Sequence, residues 1–206
     1  MPVFTPNLTM AIPVMVIISL IIGIDVGWGY IQVYMASYLH SYSPSITTSK
    51  VHMLYSVMDL GQIIGAQIFE PVTSKLGYRE SLSLALLLTA TGAFICSIAT
   101  TIWGFIIPVV LMGIAIALRS LACSFFMVEL LPGNYAFAVG LGNIGCAFSA
   151  IFWSWVPLLV VNPDNATADI EIREYSRTAY YFGEAVTIRV PYLFQVITII
   201  ATVAVL

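Results

Sequence analysis

The stretch WGFIIPVVLMGIAIALRSLACSFFMV, residues 103–128, decides the class of this protein. Thirteen of its residues are Leu, Ile, Phe or Val, and each of these favours membrane insertion by about 0.3–0.6 kcal/mol. Arg119, near the middle, opposes insertion by roughly 2.5–3.5 kcal/mol. About 20 mostly apolar residues are enough to cross a bilayer as a helix. The stretch therefore predicts a transmembrane helix that carries one internal cation.

The composition of the whole chain agrees with that prediction. Of its 206 residues 60% are hydrophobic and 8% are charged, and the mean hydropathy is +1.00. A soluble domain carries about 25% charged residues, so this chain cannot cover a water-facing surface. We predict an integral, multi-pass membrane protein whose first partner is the lipid bilayer, in a plasma or organellar membrane, the mitochondrial inner membrane included. The chain has no basic stripe, and we expect no nucleic-acid partner.

Six apolar stretches follow one another, separated by short polar or Pro-Gly connections. They predict an all-α transmembrane bundle of six helices that forms a single domain, residues 1–206. A polar loop at 162–189 precedes the last stretch. The predicted helices cover about residues 11–39, 51–69, 81–99, 103–128, 135–161 and 190–206.

The sequence GLGNIG at residues 140–145 has the G-x-G-x-x-G spacing of a dinucleotide-binding turn, and Asp164 follows it. That turn requires water and a strand-to-helix connection, whereas GLGNIG lies inside the fifth apolar stretch. We therefore expect no nucleotide. We interpret Gly140, Gly142 and Gly145 as small residues that let another helix approach closely within lipid.

Metal and catalytic motifs have no support in this sequence. Cys96, Cys123 and Cys146 lie in separate apolar runs, a spacing that suits neither a disulfide framework nor a metal site. His40 and His52 lie twelve residues apart near one polar connection. We expect no metal, no cofactor and no catalytic residues, and therefore no enzyme.

Three ionisable residues fall near the middle of predicted helices: Asp25, Asp59 and Arg119. Intramembrane charges usually pair with one another or line a water-filled cavity. We hypothesise that Arg119 pairs with Asp25 or with Asp59. Two roles stay open: Arg119 binds an anionic substrate while one carboxylate couples protons, or the pair is a fixed salt bridge between helices.

Helical spacing extends these charges into polar stripes. On the second predicted helix, residues at i, i+3, i+7 and i+10 are all polar, and a narrower polar and small face surrounds Asp25. Matching stripes on neighbouring helices predict a shared cavity. The candidate substrate-binding residues are Arg119, Asp25, Gln32, Asp59 and Gln62, and the second stripe comprises His52, Tyr55, Asp59 and Gln62.

The connection SKLGYRESL, residues 74–82, resembles the loop signature of the major facilitator superfamily, whose pattern is roughly G-x-x-x-D-R-x-G-R-R. Lys75, Gly77 and Arg79 match three of its positions. Ser74 stands where that family has an acid. The resemblance implies that these three residues form the gating loop between the second and third helices.

Longer passages are similar to the oxalate:formate antiporter-like, monocarboxylate transporter-like branch of that superfamily. They are GWGYIQVYMASYL at residues 27–39, ELLPGNYAFAVGLGNIGCAFSAIFWSWVPLLVVNP at 129–163 and YYFGEAVTIRVPYLF at 180–194. Their order along the chain is the same as in the family.

The resemblance implies one half of a larger fold. Such transporters have two six-helix halves, each built from 3+3 inverted repeats, with the substrate bound between the halves. We therefore expect the amino-terminal half of a secondary transporter of small organic anions, such as monocarboxylates. Its partner would be a second six-helix half. The alternative is a non-transporting structural subunit of a larger membrane complex, for example an organellar or mitochondrial inner-membrane assembly, that docks on other membrane subunits.

Overall fold

Helices dominate the structure, a computed structural model that describes residues 8–131, 133, 135–174 and 177–205. A short 3₁₀ turn, Gly23–Asp25, lies between the first two helices, and the last residue of the sixth predicted helix, Leu206, lies outside the described residues. The elements are α1 (Leu8–Ile22), α2 (Trp28–Tyr42), α3 (Thr48–Leu76), α4 (Tyr78–Ile98), α5 (Ile102–Leu130), α6 (Tyr135–Val161), β1 (Ile170–Glu174), β2 (Arg177–Tyr181), α7 (Glu184–Thr187) and α8 (Val190–Val205).

Length and composition qualify four helical runs in the described chain as membrane spans: α4, α5, α6 and the run Glu184–Val205. A bent pair, Ile12–Asp25 with Trp28–Tyr42, makes a fifth. The remaining helix, α3, has 29 residues but is too polar to be counted with them. The polar stripe of α3 lowers its hydropathy. The second predicted span is nevertheless present as a helix, and it packs against α5 in the bundle.

The first predicted helix, residues 11–39, is not continuous. Its two parts, α1 and α2, meet at 43° across the turn Gly23–Asp25 and the following two residues. Gly23 and Gly27 flank this break. A side chain at Gly23 would clash with Ser149, and one at Gly27 with Trp153. The chain bends here, where α6 packs directly against the backbone, and the first predicted span consists of two helices.

Close helix crossings build the core. Gly61 of α3 and Gly113 of α5 face each other, and a β-carbon on either would overlap the backbone of the opposite helix. Small residues permit such approaches in lipid, where helix association depends on packing. α5 also packs on α4 and α6, and α8 packs on α4. The core therefore lies around α5, the helix that the deciding stretch of sequence predicts.

The predicted polar loop at 162–189 contains structure that the all-α prediction did not include. β1 and β2 pair as an antiparallel hairpin, with Ile170 opposite Tyr181. The hairpin is tied to α2, because Tyr181 stacks on His40 with ring centroids 4.3 Å apart and the Phe182 amide donates to Ser37 Oγ at 3.0 Å. A hairpin and a short helix thus cap one end of the bundle.

The crossing of α3 and α5 gives a first prediction. Gly113→Val should lower the free energy of unfolding by about 1–3 kcal/mol, the usual cost of overpacking, since the new side chain meets the backbone at Met58. The measurement is the thermal unfolding midpoint in detergent. Gly140→Val is the matched control, because nothing lies within 4 Å of a β-carbon there. Equal midpoints for the two variants would contradict the close crossing.

Candidate transport site

The break between α1 and α2 is held by two side chains of α6. Trp153 Nε1 donates to the carbonyl of Leu20 at 3.0 Å, and Ser149 Oγ donates to the carbonyl of Gly23 at 2.8 Å. A broken helix frees carbonyl groups, and within a bilayer the protein itself must supply their partners. Trp153 and Ser149 do so, and both are fully buried. They fix the turn that carries Asp25.

Asp25 and Arg119 come near each other without forming the predicted salt bridge. Their charges interact electrostatically, but the one ion pair found within 4 Å in the described part of the chain joins Arg189 to Asp164. Asp25 Oδ1 is buried and has no hydrogen-bond partner among the described residues. Arg119 therefore forms no ion pair within 4 Å of Asp25 or Asp59, and its pairing with either carboxylate stays a prediction. The guanidinium turns toward α6.

Arg119 lies inside the core of this half. The residue is only 1% exposed. Its Nη2 donates to Cys146 Sγ at 3.7 Å, whereas Nε and Nη1 are buried without a partner among the described residues. Small residues surround it on α5, as its sequence neighbours Ala115, Ala122 and Cys123 predict. Arg119 is thus a deeply buried cation, and two of its nitrogens have no hydrogen-bond acceptor among the described residues.

The polar stripes of α2 and α3 meet on one face. The side-chain amide of Gln32 lies 3.0 Å from His52 Nδ1, and Gln62 Nε2 donates to Asp59 Oδ1 at 3.3 Å. His52 is exposed, and Gln32, Asp59 and Gln62 are partly exposed. We call these four residues the open polar face. It offers uncharged donors and acceptors next to one carboxylate.

The predicted gating loop between α3 and α4 is reduced to one residue. Gly77, at φ +88°, ends α3 and precedes the first residue of α4. A positive φ favours glycine because it has no β-carbon. Lys75 and Arg79 lie exposed on either side of it. The role of these three residues in gating stays a prediction.

The glycines of GLGNIG have different surroundings. A β-carbon at Gly145 would overlap the Val16 carbonyl of α1, so α1 and α6 approach closely there. A β-carbon at Gly140 would have no atom within 4 Å, so Gly140 does not pack against another helix within the described chain. The surroundings of Gly142 lie outside the described residues. The whole motif is part of the helix α6, with no strand-to-helix turn for a phosphate.

The side chains described by the structure form no group of three or more His, Cys, Asp or Glu that could hold a metal ion. The functional interest of the chain therefore rests on two features. They are the pair of charges Asp25 and Arg119, and the open polar face.

Family comparison assigns the chain to a class. The profile of the family "Sugar (and other) transporter" matches residues 11–167, so the chain belongs to that family. It is similar to Sugar carrier protein C of Ricinus communis, with 24% identity over 160 residues, which cover 68% of this chain and 31% of that protein. This class of proteins transports solutes and is not enzymatic.

Solved structures show the same fold. The xylose transporter XylE from E. coli in its partially occluded inward-open conformation superposes with a TM-score of 0.70 and 16% identity, over 94% of this chain and 47% of that one. XylE bound to 6-bromo-6-deoxy-D-glucose superposes with a TM-score of 0.65 and 18% identity, over 96% of this chain and 44% of that one. This chain thus spans less than half the length of the proteins it matches.

These findings confirm the fold class, a transmembrane helical bundle with the architecture of one half of a major facilitator superfamily transporter. They confirm that superfamily and a multi-pass membrane protein. The family they give is the sugar transporters, and they do not support the oxalate:formate antiporter-like branch that the sequence resembles.

The support of the helix break gives a second prediction. Trp153→Phe keeps an aromatic ring but leaves the Leu20 carbonyl without its donor, and should lower the free energy of unfolding by about 1–3 kcal/mol, the cost of a buried unsatisfied group. Chemical unfolding in detergent measures it. Trp103→Phe is the control, because Trp103 is 78% exposed. A loss no larger than the control's would show that the break does not depend on this bond.

Proposed function

We propose that this chain is the amino-terminal half of a membrane transporter for sugars, and that the open polar face forms one wall of its binding site. The observation that carries the proposal is the pairing of amide, imidazole and carboxylate groups of α2 and α3 on one accessible face, Gln32 with His52 and Gln62 with Asp59. Such groups match the hydroxyls of a sugar, which both donate and accept hydrogen bonds. Membership of the sugar transporter family supports this choice of solute.

The half-bundle explains why the face is open. Alternating access requires two bundles that rock about one central site. Gly29 of α2 would have nothing within 4 Å of a β-carbon, so this side of the chain is free for a second bundle. The partner we propose is a second six-helix half.

Asp25 and Arg119 support a mechanism for coupling. Asp25 holds an unpartnered carboxylate oxygen at the helix break, with the charge of Arg119 nearby. Adding a proton to Asp25 would remove a negative charge from a site of low dielectric, where charges interact strongly. We propose that proton transfer at Asp25 changes the packing at the break and so links a proton to the movement of the solute.

The narrower expectation of a small organic anion depends on Arg119. Its unpartnered N–H groups are suited to a carboxylate. However, the residue is covered by its own half, and a solute on the open polar face would not reach it without a rearrangement. A structural subunit without transport activity is the other alternative. The same assay separates the three functions.

A third prediction tests the solute. The natural protein that contains this chain, reconstituted in liposomes, should take up labelled D-xylose or D-glucose and not L-lactate. Gln62→Ala should raise the KM for the sugar roughly two- to tenfold, since one hydrogen bond is worth about 0.5–1.5 kcal/mol. Gln67→Ala is the matched control, an exposed glutamine on the same helix. Uptake of lactate alone would identify an anion carrier, and uptake of neither would favour the structural subunit.

A fourth prediction tests the coupling. Asp25→Asn should abolish proton-driven accumulation of sugar while sugar exchange at equilibrium continues, because the amide can bind no proton at neutral pH. Asp164→Asn removes an equivalent acid from an exposed ion pair and should leave accumulation intact. Accumulation by Asp25→Asn at the parent level would place the proton site elsewhere.

A further inference from the structure

A pocket lies at one end of the bundle, between the first turns of α3 and α5. Its volume is about 630 Å³, which is within the range of roughly 300–1,000 Å³ that is typical of small-ligand sites. Its walls are mostly apolar, and the connections after α2 and α4 add hydroxyl groups. We call it the interfacial pocket, and its lining includes Ser45, Lys50, Met53, Val57, Thr101 and Trp103.

The interfacial pocket lies at the depth of the lipid headgroups. α3 and α5 each have 29 residues, which makes each about 43 Å long, whereas the hydrocarbon core of a bilayer is about 30 Å thick. The ends of both helices therefore reach the headgroup layer, and both helices begin beside the pocket, capped by Thr47 and Thr101. Trp103 is 78% exposed there, as is usual for tryptophan at a membrane interface.

The pocket is on a different side of α3 from the open polar face. Successive residues of a helix are about 100° apart, so Met53 and Val57 lie roughly 120° and 160° around α3 from Asp59. The second half of a transporter of this architecture belongs against the open polar face, since the solute binds between the halves. The bilayer is therefore what covers the interfacial pocket.

A single positive charge stands at this pocket. Lys50 is exposed, and its ammonium group donates to the Ser45 carbonyl at 2.7 Å. An ammonium has three N–H donors, so this contact leaves donors for an anion. Lys50 carries the one charge among the described residues that line the pocket, although the chain as a whole has a net charge of −3. The pocket thus suits a ligand with an anionic head and an apolar tail.

We propose that the interfacial pocket binds an anionic phospholipid of the surrounding bilayer. The lipid phosphate accepts hydrogen bonds from Lys50 Nζ and from the Thr101 hydroxyl, and an acyl chain packs against Met53 and Val57. A zwitterionic lipid would bring a cation that meets no carboxylate among the described residues of the pocket. The proposal rests on the position given to the second half in the proposed function, and it does not depend on the identity of the solute.

The first experiment measures lipid selectivity. The natural protein in detergent is titrated separately with phosphatidylglycerol and phosphatidylcholine, and native mass spectrometry counts the bound lipid. The parent should bind phosphatidylglycerol more tightly, and Lys50→Gln should weaken that binding about fivefold, the usual effect of one basic residue near an anionic membrane surface. Arg173→Gln, at an exposed cation of the hairpin, is the matched control and should keep the preference. No preference in the parent, a preference retained by Lys50→Gln, or an equal loss in both variants would overturn the proposal.

The second experiment separates a lipid from a soluble phosphate. Glycerol 3-phosphate has the anionic group without acyl chains, and it should not bind at concentrations at which phosphatidylglycerol saturates the site. Met53 is 66% exposed, so Met53→Trp should fold, fill part of the pocket and weaken phosphatidylglycerol binding. Ile199→Trp, at an exposed residue of α8, should not weaken it. Equal binding of glycerol 3-phosphate, or equal effects of the two tryptophan variants, would overturn the proposal, whether or not the protein transports a sugar.

Discussion

The structure depends on one constraint: no water is present inside a bilayer to satisfy polar groups. The constraint explains why the break between α1 and α2 comes with fixed partners. Trp153 donates to the Leu20 carbonyl, and Ser149 donates to the Gly23 carbonyl, which also accepts from the Val26 amide. Both donors come from α6, so the geometry of the break is set by a helix more than a hundred residues away in sequence. The position of Asp25 follows from that support.

The same constraint divides the bundle into a packed side and an open side. Helices cross closely where glycines face each other, as Gly61 and Gly113 do between α3 and α5. Gln32, His52, Asp59 and Gln62 lie instead on the open polar face, whereas Arg119 stays buried. Transporters of this architecture place the solute between two such faces. The division of the bundle is therefore what a carrier built from two halves requires.

Arg119 shows where sequence reasoning succeeds and where it ends. Its depth in the membrane could be predicted from the apolar residues on either side of it. Its partner could not, because which way a long side chain turns depends on neighbouring helices. The chain has two carboxylates at similar depth, yet the guanidinium contacts Cys146. The hairpin had a signal, the alternation of Ile170, Glu171 and Ile172, but its polar surroundings predicted a loop.

The amino-acid sequence by itself determined the class of protein and the positions of the helices, because apolar runs of sufficient length have one stable state in a bilayer. It also determined the polar stripe of α3, since helical spacing follows from the backbone. Only the tertiary structure decided that the first span breaks at Gly23–Asp25, that Gly145 packs and Gly140 does not, and that Arg119 is covered. These features depend on contacts between segments distant in sequence, and such contacts exist only once the helices have packed.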